Sequence, residues 1–137
     1  MIGYHNTDHI ISDLNYDELY NNISNHDNGA MGLWCSVKDD WQKGFGKNTY
    51  KVEVTGEAYN MPVNELQGLC YNDLKSGDRR PYYKKLRDDM LKRGFTHIRI
   101  LERHRGVDMF IVCDFNYATI ERVSDGNKHL NNKGKQL

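Results

Sequence analysis

The chain has 137 residues, and its 19 lysines and arginines are balanced by 19 aspartates and glutamates, so overall charge draws it to neither nucleic acid nor an anionic membrane. That length suits one domain burying roughly two-thirds of the surface its unfolded form exposes. Three widely spaced cysteines, Cys35, Cys70 and Cys113, make no disulfide framework and point to a reducing compartment; with no apolar run near the ~20 residues of a membrane span and no basic-then-apolar leader, a soluble cytoplasmic protein is expected.

Met1 to His5 reads as a short edge strand. Asn15, followed by Tyr16, Asp17 and Glu18, has the order of an N-cap and first-turn acids, and starts a helix carrying Leu19 and Ile23. Asn25 to Gly29 is turn-rich. Ala30 to Val37 reads as a buried strand interrupted by Gly32, where a missing side chain anticipates close approach of other backbone. Residues 38–46 are expected to form a short helix and a glycine-bounded loop. Tyr50, Val52 and Val54 then alternate with Lys51, Glu53 and Thr55, the period of a strand with one dry face.

Pro62 sits where a helix begins, with Val63, Leu66, Leu69 and Cys70 as an apolar stripe ending near Gly77. Asp78 caps a second helix whose Tyr83, Leu86 and Met90 recur at helical spacing and which Gly94 stops. These two helices are expected to form a middle layer. Thr96 to Leu101, Val107 to Cys113 and Ala118 to Val123 read as strands by β-branched content, with Arg105 and Gly106 turning between the first pair. From Ser124 the chain is polar and lacks apolar periodicity, so residues 1–124 form one domain and residues 125–137 a flexible tail. No internal repeat or linker divides it.

Four segments carry candidate chemistry. Tyr4-His5-Asn6-Thr7 lies on the opening strand; Gly29 to Ser36 is a glycine-containing entrance to a strand with Trp34; Phe45 to Val54 leads into the alternating strand; and Leu91 to Asp114 runs helix, glycine, strand, acid, strand. In that order, over residues 4 to 123, the chain resembles the ADP-ribosyltransferase superfamily. The resemblance implies an α+β fold, a split and mostly antiparallel β-core with helices, that grips NAD in a cleft. It implies that His5 holds the adenosine ribose, that backbone beside it at Asn6 holds the nicotinamide amide, and that Tyr4, Thr7, Gly32, Trp34 and Ser36 complete the cofactor site. The chain departs from the family pattern with Asn6 for glycine, Trp34 for tyrosine and an aspartate for the usual glutamate.

Breaking the bond between nicotinamide and ribose passes through an oxocarbenium-like state, so a carboxylate beside the sugar stabilises charge that exists mainly in the transition state. Asp108 is the first candidate, because it opens an alternating strand at the sheet rim. Glu102, continuing the face of Ile98 and Ile100, is its rival. Both acids have a plainer reading as solvated turn residues paired with Arg103 or Arg105. His5 and His9 share the spacing of helical metal ligands but lack a third partner, so no metal site is expected. Gly44 to Thr49 lacks the residues of a phosphate loop, and the basic residues from Arg79 to Arg93 read as a wet helix face able to meet an acidic partner.

The resemblance therefore implies an NAD-dependent transferase that places ADP-ribose on a protein target. Its small size suits a compact phage form acting in the host cytoplasm against a defence protein, including the anti-CRISPR type, with nucleic acid reached only through a target complex. Two alternatives stay open: an inactive member of the fold that inhibits a partner by binding it, and an RNA 2′-phosphotransferase-like enzyme.

Overall fold

Strand β3 (Asn48–Val54) shows how alternation becomes architecture. Asn48, Tyr50, Val52 and Val54 are buried and the residues between them are more exposed, as a pleated strand with one dry face requires. This computed structural model describes residues 1–24, 28–37, 47–71, 77–104 and 107–125. The expected helix and loop over residues 38–46, the Arg105-Gly106 turn, residues 126–137 and the side chain of Glu102 lie outside the described residues.

The protein is α+β. The other strands are β1 (Ile2–Thr7), β2 (Leu33–Ser36), β4 (Ala58–Met61), β5 (His97–His104), β6 (Val107–Val112) and β7 (Ala118–Asp125), and the described helices are α1 (Tyr16–Asn22), α2 (Val63–Tyr71) and α3 (Arg80–Lys92). The strands form one seven-stranded sheet in the order β4-β5-β6-β2-β1-β3-β7. It is mixed: β4 runs parallel to β5, and the other neighbours are antiparallel. Two expectations change here. β1 is not an edge strand but lies inside the sheet between β2 and β3, because both of its ladders are filled by strands far away in sequence. β4, which had no sequence signal strong enough to separate it from the helix at Pro62, forms one edge.

Helix signals survive more directly. Asn15 caps α1 by accepting the Glu18 amide at 3.0 Å, which satisfies one of the donors a helix start leaves open. At α3 the N-cap position is Arg79 rather than Asp78, and Asp78 acts from one residue farther out, its Oδ1 accepting the Arg80 amide at 3.1 Å. Gly94, at a φ of +89°, ends α3, and the Phe95 amide returns to the Met90 carbonyl at 3.0 Å, the closing bond of a glycine-terminated helix.

The register divides the side chains between two cores on opposite faces. Ile98, Ile100 and Ile111 share one face with Met61, covered by Leu66 of α2, Tyr83 and Met90 of α3, and Ala30 and Met31 of the 3-10 turn Asn28–Met31. The two longer helices are thus an outer cover, not a middle layer. On the other face Leu33, Cys35, Tyr50, Val52, Val54, Phe110 and Val112 pack with Ile11, Leu14, Leu19 and Phe115. Cys35 and Cys113 are buried free thiols, and burial raises both, Cys113 to about 12, so neither is a thiolate near neutral pH. No helix among the described residues is long and apolar enough to cross a membrane.

Candidate functional site

The ladder between β1 and β2 is the shortest in the sheet. β1 is registered to β3 at six positions, from Ile2 with Glu53 to Thr7 with Asn48, but to β2 at Tyr4 with Ser36 alone. Beyond that pair His5, Asn6 and Thr7 diverge from Leu33 and Trp34, and a cavity of about 570 Å³ opens between them. Its remaining wall includes residues 9–15, Glu18 and Leu19 of α1, Met109 of β6, and Phe115.

Each wall is held from outside the cavity. The Ile11 amide donates to the Tyr50 hydroxyl at 2.8 Å, tying the 9–15 segment to β3. Tyr16 of α1 donates its hydroxyl to the Ala30 carbonyl, and the Arg87 guanidinium lies 3.6 Å from its ring centroid. Burial, the larger influence, and nearby charge place the Tyr16 hydroxyl at about 12, so it remains a proton donor across the physiological range. Gly32 sits at a φ of +148°, and a Cβ there would overlap the Val112 carbonyl. The close backbone approach expected at this glycine is therefore made by β6, and it turns the chain from the 3-10 turn into β2.

His5 fills the place where the β1–β2 ladder fails. Its Nδ1 lies 2.7 Å from the Trp34 carbonyl oxygen, and a carbonyl only accepts, so Nδ1 carries the proton. Burial lowers the His5 pKa and the carbonyl raises it, burial being the larger. The ring is neutral at pH 7, and Nε2 keeps a lone pair. Trp34, half-buried, donates Nε1–H to the Asn28 carbonyl at 3.2 Å, which fixes the indole plane. Asn6 is 4% exposed, and neither polar atom of its amide has a hydrogen-bond partner.

Of the residues assigned to a cofactor from the sequence, His5, Asn6, Thr7, Gly32 and Trp34 line this cavity, whereas Tyr4 and Ser36 do not. Those two form the registered pair just before the strands part. Asp108 is also outside the described lining; its carboxylate is held by Arg99 of β5 at 3.2 Å. Ile100, two residues before Glu102, is registered to Met109, which does line the cavity. Asp13, without a role in the sequence reading, and Glu18, read there as a first-turn acid, are also lining residues. Nothing local marked the 9–15 segment as a wall. Among the described residues no group of three or more His, Cys, Asp or Glu side chains is placed to hold a metal ion.

No protein-family profile and no curated protein matches the chain. Among solved structures, one described as the crystal structure of an anti-CRISPR protein is similar with a TM-score of 0.53, 11% sequence identity, and coverage of 90% of this chain and 95% of that one. At that identity the likeness is one of fold.

Proposed function

We propose that this protein is a phage-type inhibitor of the anti-CRISPR kind that acts on a protein target by transferring ADP-ribose from NAD. The observation that carries the reading is the parted β1–β2 junction. It gathers His5, Asn6 and Thr7 from one strand and Gly32 and Trp34 from a segment more than twenty residues away around one cavity, and these are residues the ADP-ribosyltransferase resemblance assigned to NAD. The fold likeness to an anti-CRISPR protein over nearly the whole of both chains supports the inhibitor role.

The residues have separable tasks in this reading. Neutral His5 accepts a hydrogen bond from a ribose hydroxyl through Nε2, and Trp34 offers a flat apolar face to the nicotinamide ring. Bound NAD supplies the ribosyl carbon and the nicotinamide leaving group. A carboxylate must stand beside that carbon. Asp108 is already engaged with Arg99, so Glu102, its rival from the sequence, becomes the first assignment and Asp108 the second. A second reading, inhibition by binding alone, is favoured by the same ion pair, because a committed carboxylate has no free role in transfer.

Incubation with labelled NAD and a lysate of the target cell tests the proposal. A labelled protein band is expected, lost on the order of 100-fold or more with Glu102→Gln. Loss with Asp108→Asn alone would exchange the two assignments. Absence of label, with inhibition of the defence system retained in both variants, would replace transfer by binding.

A further inference from the structure

Helix α1 supplies Glu18, Leu19 and Asn22 to the cavity, yet none of its seven residues is fully buried. So short a helix does not persist on its own hydrogen bonds, and contacts from elsewhere must set where this wall stands. They come from α3. Tyr16 and Tyr20, four residues apart on one face of α1, meet Arg87 and Arg80 of α3, whose guanidinium carbons lie 3.6 Å and 5.0 Å from the respective ring centroids.

The two arginines are not equivalent. Arg80 is drawn to Asp78 by contacts of 2.8 and 2.9 Å, and its Nη1 reaches the Tyr20 carbonyl at 3.2 Å. Arg87 donates its Nε–H to the Cys113 carbonyl at 2.8 Å, with Asp88 a looser neighbour at 3.5 Å. Cys113 directly follows β6, the strand whose Met109 lines the cavity. A guanidinium donates in its plane and stacks through its face, so one side chain holds the end of β6 and the Tyr16 ring at once; an ammonium has no such plane. Tyr16 carries the connection onward, with its hydroxyl to the Ala30 carbonyl and its ring edge-on to the cavity residue Phe115 at 6.2 Å. Neither Tyr16 nor Arg87 lines the cavity itself.

We propose that Arg87 is a positioning residue for the cavity: anchored to the end of β6, it stacks on Tyr16 and so fixes α1, with Glu18 and Leu19, against the rest of the wall. Loss of the stack frees α1 and opens the cavity without loosening the core that α3 covers. The inference rests on the proposed function only for the ligand that the positioned wall meets.

The test uses the full chain carrying Trp41→Phe, which leaves the cavity residue Trp34 as its single tryptophan. Arg87→Met is expected to raise acrylamide quenching of Trp34 about twofold and amide exchange in α1 about tenfold, with exchange in α3 and β6 unchanged. Arg87→Lys, which keeps the charge and loses the planar stack, should match Arg87→Met, and Arg80→Met should have a smaller effect. Tyr16→Leu removes the other partner, and the double variant should be no worse than either single one, as a shared contact requires. In transfer assays Arg87→Met should raise KM for NAD about fivefold and leave kcat within about twofold of wild type. Wild-type quenching in Arg87→Lys, additive effects in the double variant, equal quickening of exchange in α1 and α3, or a fall in kcat at unchanged KM would each overturn the assignment. The two ideas fail separately: without any labelling from NAD the transferase reading falls while quenching and exchange still decide Arg87, whereas normal labelling with wild-type exchange of α1 in Arg87→Met removes Arg87 and keeps the transferase.

Discussion

The two cores of this protein are closed in different ways. Over β4, β5 and β6 the sheet is covered by regular helices, and Ile98, Ile100 and Ile111 are completely buried. Over β1, β2 and β3 the opposite face is covered by residues 9–15, the start of α1 and Phe115. A helix satisfies its own backbone and presents a continuous apolar stripe, so it seals a face; an irregular segment must spend side chains such as Tyr50 on its amides and leaves volume behind. The comparison teaches that the cavity lies where irregular cover meets a sheet that has parted.

Gly32→Ala should break the comparison most severely. It adds a Cβ against the Val112 carbonyl in a left-handed backbone, combining strain and overpacking for a cost of about 4 kcal/mol. Urea denaturation should show that loss, and a variant within 1 kcal/mol of wild type would mean that β6 yields at this crossing.

A matched pair of cavity-forming substitutions sharpens the contrast. Ile98→Ala, under the helices, should cost about 4 kcal/mol, near the upper end for such truncations, whereas Leu33→Ala, already beside a void, should cost about 2 to 3 kcal/mol. Both side chains are almost wholly buried, at 0% and 2% exposure, so equal losses would show that the cavity wall is packed as tightly as the sealed core.

Two histidines tie the cavity-side core to pH. Burial lowers the pKa of His5, and burial, the N-terminal ammonium and Arg99 lower that of His97, which is registered to Val112 and meets Phe110 of the same core edge to face. The unfolded chain takes up these protons near pH 6.5 and the folded chain only at lower pH. The stabilisation is full above pH 6.5 and is lost as pH falls through the lowered values. Thermal melts from pH 7.5 to 5 should show a falling Tm, shallower in His5→Gln and in His97→Gln; no change of slope in either would remove the argument.

The smallest effect concerns the cavity's cover alone. Asn15→Ala deletes the cap bond to the Glu18 amide and should cost about 1 kcal/mol. Hydrogen exchange should quicken in α1 and residues 9–15 while α3 keeps its protection. Equal quickening in both helices would mean that the two halves open as one unit.

Legibility followed the range of the interaction. Tyr50, Val52 and Val54 declared β3, and Asn15, Pro62 and Gly94 marked helix boundaries, because the groups involved meet within a few residues along the chain. Ala58 to Met61 was missed as a strand, since its ladder to His97 through Ile100 depends on a partner nearly forty residues away. His5, Asn6, Thr7, Gly32 and Trp34 were selected by the order of short motifs, but no motif disclosed Asp13 and Glu18 as neighbours in the same wall.

By itself the sequence determined the described strands other than β4, the three described α-helices, the Asn15 cap, and the glycine at which backbone must come close. Only tertiary structure decided that β1 is central, that it meets β2 through one registered pair, that Asp108 is committed to Arg99, and that Asn6 is buried without a partner. The physical reason is that local dihedral preferences and side-chain periodicity act over a few residues, whereas a ladder's length, a carboxylate's partner and an amide's isolation are set by which distant strands the closing of the cores brings together.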